Sequence, residues 1–146
     1  MAFLRVWVAQ FYNGIGANGV RPYHWQVCIE TGTDGRGFPR ATTFTIKGSP
    51  ATGFITTRSE HLRFTTADLY RGAVCVGKIQ ETNFGIAAQC IEGAELYRQE
   101  FYDSQDWAEA AVRKLYANGL IAQQWSKTLL QQELREAEAA WERGDA

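Results

Sequence analysis

The sequence lacks three things that would assign it quickly: a long apolar run, a charge of one sign, and clustered cysteines. No apolar stretch approaches the roughly 20 residues of a membrane-spanning helix, and the opening MAFLRVWVAQFY is too short and too alternating for a secretory leader. A formal charge of −1 removes the electrostatic attraction that drives binding to a phosphate backbone, so nucleic acid is not an expected partner. Cys28, Cys75 and Cys90 form neither a CxxC pair nor a Cys/His cluster. Their odd number suits a reducing compartment better than a disulfide framework, which makes a cytoplasmic location the expectation and leaves no metal site or cofactor implied.

What is present is one domain's worth of ordinary globular sequence. The 146 residues, 45% hydrophobic and 21% charged, are enough to bury a core without disulfide or metal staples. Period-two alternation marks a first strand through Leu4, Val6 and Val8, ending near Tyr12. It marks a second at 24–29, with Trp25, Val27 and Ile29 on one face and His24, Gln26 and Cys28 on the other. A third carries Thr42, Phe44 and Ile46, and weaker strands are expected at 54–57, 62–65 and 73–79, the last apolar enough to lie centrally in a sheet.

From Thr82 onward the period becomes helical. A short helix follows Asn83, a second begins at Asp103 or Ser104 with Trp107, Val112 and Leu115 on its apolar face and stops at Asn118-Gly119, and a third, amphipathic helix spans 122–141. Strands first and helices second argue for an α+β fold, an antiparallel sheet with segregated helices, in a single domain over 1–146 that is mainly strands to 81 and mainly helices from 82 to 142.

Few motifs carry chemistry. Gly14, Gly16 and Gly19 spell GxGxxG after a strand, but a second strand follows in place of a helix, so the motif reads as a plain loop. His24 offers an imidazole suited to proton transfer near neutral pH. Cys28, four residues along the same strand, lies about 13 Å from it at the rise of a strand and cannot pair with it. Ser104 at a helix start reads either as a capping hydroxyl or as a nucleophile favoured by nearby backbone amides, provided a histidine reaches it.

Two segments, YHWQVCIE and YDSQDWAEAAVRKLYANGLI, resemble a group of small fungal proteins. Those look in turn like the permuted papain-like fold of lecithin:retinol acyltransferase and NlpC-type peptidases. In that pattern a strand histidine precedes a cysteine at a helix start. The resemblance spans Val6 to Ile121, sets His24 in the histidine position and Ser104 in that of the cysteine, and implies a third polar group orienting the histidine, with Gln26, Thr43 and Thr45 as candidates. A serine there excludes thiol hydrolysis, since a hydroxyl is the poorer nucleophile. The implied functions are a cofactor-independent cyclisation or isomerisation of a small apolar molecule in fungal secondary metabolism, by acid/base or template catalysis in a degenerate papain-like cleft, or an acyl transfer or amide or ester hydrolysis through Ser104 and His24; the amphipathic helix from Ala122 to Trp141 offers a third reading, a non-catalytic binding module or a homodimer through that helix. The first two place the cleft between His24 and Ser104.

Overall fold

In the computed structural model, which describes residues 2–97, 99 and 101–144 with the side chains of 61 and 62 outside that description, the alternating segments form one antiparallel sheet. Its strands are β1 (Phe3–Phe11), β4 (His24–Thr33), β5 (Pro39–Ser49), β6 (Gly53–Leu62) and β7 (Tyr70–Gln80), in the order β6-β5-β4-β1-β7. Three helices follow: α1 (Phe84–Glu92), α2 (Ser104–Ala117) and α3 (Lys127–Glu142). The mixed α+β class and the antiparallel sheet agree with the alternation that precedes residue 82.

The GxGxxG segment is a small hairpin, β2 (Ile15–Gly16) paired with β3 (Gly19–Val20), which joins β1 directly to β4. Gly14 and Gly19 adopt φ of 85° and 101°, a region that L side chains avoid, so the backbone of this hairpin accounts for glycine at both positions.

Alternation divides the side chains between two cores. The inner face presents Val6, Val8, Trp25, Val27, Ile29, Phe44 and Ile46 to the helices, where Trp107, Val112, Leu115, Leu130 and Leu134 complete the main core. The outer face carries a smaller cluster of Ala9, Phe11, Cys28, Ala41, Phe64 and Tyr70. Segment 63–69, with a 3-10 turn at Phe64–Thr66, folds back over this outer face. The expected strand at 62–65 is therefore a strand end and a turn, because Phe64 leaves the sheet to cover it.

Two further expectations change. β7 is an edge strand, not a central one. Val76 and Ile79 are buried on it all the same, and α3 and the segment before it pack closely against this strand. A Cβ on Gly77 would meet Ile121 at 2.7 Å, and one on Gly72 would meet the Ala137 backbone at 2.9 Å. The third helix starts at Lys127, five residues later than its apolar spacing predicts, since Ser126 caps it by accepting a bond from the Leu129 N–H at 3.1 Å. Trp125 belongs to the preceding loop, where its Nε1 donates to the Val76 carbonyl at 3.0 Å. From Leu130 and Leu134 in the inner core, α3 reaches Trp141 against the outer cluster, and so passes around the edge of β7. Its apolar stripe thus faces the chain's own sheet.

Candidate functional site

The start of α2 is built by Asp103, not by Ser104. Asp103 is the N-cap: its carboxylate accepts from the backbone N–H groups of Gln105 and Asp106, and Asp106 returns the contact to the Asp103 N–H in a capping box. Burial holds the Asp103 carboxyl above its ordinary pKa even against these donors. Ser104 is then the first helical residue, and its Oγ accepts the backbone N–H of Trp25 at 3.0 Å.

A cleft of about 420 Å³ opens beside this helix start, lined by Gln10, Tyr23, Asp103, Gln105, Lys127 and Gln131 among others. Its polar groups are largely engaged with one another. Gln105 Nε2 donates to the Tyr23 carbonyl at 2.9 Å, Gln131 Nε2 to Gln105 Oε1 at 3.1 Å, and Lys127 Nζ to Asp106 at 2.8 Å. Gln10 Nε2 bridges the carbonyls of Arg71 and Leu134 at 3.0 and 2.8 Å. These bonds join sheet to helices.

His24 lies on the other side of the sheet. Its Nε2 meets Thr45 Oγ1 at 2.5 Å on the outer face, while the next residue, Trp25, faces the helices in the inner core. The expected cleft between His24 and Ser104 is therefore not formed, and the reason is the pleat: Ser104 reaches the strand one residue beyond His24 and bonds its backbone. Of the three candidates for orienting the histidine, Thr45 makes the contact. Thr43 donates to the Ser59 carbonyl at 3.5 Å. Gln26 shares the His24 side of β4, and its Oε1 is buried without a hydrogen-bond partner.

His24 and Gln26 instead lie in an outer-face cleft of about 490 Å³ with Phe11, Tyr12, Phe64, Ala67 and Leu69, and with Asn13 and Asp68. Phe11 is the cross-strand neighbour of His24. The lip is pinned by the Tyr12 N–H, which donates to the Leu69 carbonyl at 2.8 Å. Burial lowers the His24 pKa below its ordinary 6.5, so the ring is neutral at pH 7 and one of its nitrogens is held by a hydroxyl. A neutral imidazole against an apolar wall can accept a proton from a bound molecule and return it. Phe64, Asp68 and Leu69 escaped the sequence reading, because the apolar pair around a polar TTAD stretch looks like a strand followed by a turn.

Compared with family models, curated proteins and solved structures, the chain matches none. Its chemistry has to be read from these residues alone. Cys28 is fully buried in the outer cluster, which pushes its thiol far above the usual range. Cys90 is buried too, and Cys75 donates to the Gly77 carbonyl at 3.4 Å. Among the described residues no group of three or more His, Cys, Asp or Glu is arranged to hold a metal ion, and no helix is long and apolar enough to cross a membrane.

Proposed function

We propose that this protein is a cofactor-independent acid/base catalyst acting on a small, largely apolar molecule, with His24 as the proton-transfer group and the outer-face cleft as its site. The observation that carries this reading is the placement of the His24 ring, held by Thr45 beside Gln26 within walls of Phe11, Phe64 and Leu69, where burial lowers its pKa. A base whose pKa is near or below the working pH is available without prior deprotonation, and a positioned one contributes about 10² to 10⁴ in rate. Cyclisation and isomerisation through an enol or enolate need little more than such a group and an oriented substrate. The resemblance to small fungal proteins is what suggests secondary metabolism as the setting.

Acyl transfer through Ser104 is the weaker reading. Its hydroxyl is engaged with the Trp25 amide, and the His24 imidazole acts on the opposite face of the sheet. The test is deuterium exchange at the α-carbon of apolar ketones such as 2-tetralone, followed by NMR in D₂O. The chain is expected to accelerate exchange over buffer, Ser104→Ala to keep the acceleration, and His24→Ala to lose most of it. Acceleration that survives His24→Ala, or none across a panel of such ketones, overturns the proposal.

A further inference from the structure

Among the described residues lining the outer-face cleft, the buried side-chain polar atom left without a hydrogen-bond partner is an acceptor. Gln26 Oε1 is buried and unpartnered. Asn13 donates one Nδ2 hydrogen to the Pro22 carbonyl at 3.3 Å and keeps its amide oxygen as a further acceptor. Asp68 adds a carboxylate at the rim, and among the described residues neither lysine nor arginine lines the cleft. A buried acceptor without a partner carries a desolvation cost that a ligand's donor recovers. An anionic ligand would find no cation here and would meet Asp68. A volume of about 490 Å³ lies within the range of small-molecule sites, roughly 300 to 1,000 Å³, and suits a body of about two fused rings.

Resting on the proposed site, we infer that the cleft takes a neutral, largely apolar molecule that presents a hydroxyl or N–H group to Gln26 Oε1, which makes Gln26 the residue that selects the substrate. Phe11, Phe64 and Leu69 hold the apolar body, and the donor fixes which carbon faces His24. A site built to pair a substrate hydroxyl rejects the analogue without it, because its own polar atom is then left buried and alone.

The probes are 2-naphthol and 2-methoxynaphthalene, which share one ring system and differ in having a donor. Affinities are measured by calorimetry on the full chain, and binding is placed by the ring-proton NMR signals of His24, one of only two histidines. The chain is expected to bind 2-naphthol at least tenfold more tightly than the ether, with the His24 signals moving. Gln26→Leu is expected to bring the two within twofold by weakening 2-naphthol alone, and its fold is checked by circular dichroism. Should that variant fail to fold, Gln26→Met serves the same purpose, and the preference of the unaltered chain stands as a test by itself. Equal binding of both probes at His24 overturns the donor inference and leaves the acid/base reading in place. Binding of neither, or binding that leaves the His24 signals unmoved, overturns the site and the inference together.

Discussion

The hydroxyl of Ser104 accepts the backbone N–H of Trp25 at 3.0 Å and thereby ties the first turn of α2 to the central strand of the sheet. Ser104→Ala leaves that buried N–H without its partner, so a loss of about 1 to 3 kcal/mol is expected in urea denaturation. No covalent adduct at Ser104 is expected with a fluorophosphonate. A stable, labelled Ser104 would return the acyl-transfer reading to first place.

Asp103 serves the same helix by capping it, and its contribution is separable. Asp103→Ala should cost about 0.5 to 2 kcal/mol, while Asp103→Asn, which keeps an acceptor oxygen, should cost less. Thermal or urea melts of the two variants give the comparison, and identical losses would mean that the cap is not what the carboxylate supplies.

His24 makes stability depend on pH in a definite direction. Its folded pKa lies below the ordinary 6.5 because of burial. As pH falls through about 6.5 the unfolded chain takes up a proton that the folded chain does not, so folding is weakened as the pH drops below that point. Denaturation midpoints at pH 7.5 and 5.5 should therefore fall further for the unaltered chain than for His24→Phe. An equal fall in both would place the ring in a solvated setting.

Trp107 is fully buried at the centre of the main core. Replacing it with alanine removes the largest side chain of the apolar face of α2, and a destabilisation of about 3 to 5 kcal/mol is expected from the cavity left behind. A loss below about 1 kcal/mol would mean that the face is wrongly assigned.

Much of the fold can be read from residues near one another in the chain, and the site cannot. Alternation in YHWQVCIE already separates Trp25, Val27 and Ile29 from His24, Gln26 and Cys28, and the first set is the one in the main core. Had the larger apolar stripe been given to the helices, His24 would have fallen on the opposite face from Ser104 at once. The resemblance to a papain-like pattern argued the other way, since it fixes the order of two residues but not the side of the strand on which each acts. Thr45, Phe64 and Leu69 join His24 only through strand pairing and the return of segment 63–69, contacts that no local pattern encodes. The edge position of β7 is hidden for a related reason: an apolar strand signals cover on its faces, and α3 supplies that cover at an edge as well as a neighbouring element would in the middle of the sheet.

The passage of α3 around β7 leaves the sheet with two unlike margins. One is sealed by the helix that turns past it, with Ala137 against Gly72 and Arg71 over the Trp141 ring at 4.6 Å. At the other, among the described residues, no strand pairs with the far side of β6. Exposed strand margins are where chains add to one another. A five-stranded sheet with one open margin can join another like it, β6 to β6, and the joined sheet then has none left. Association through this sheet stops at two and does not lengthen into a fibre, because that requires a second free margin on the same sheet for every copy added.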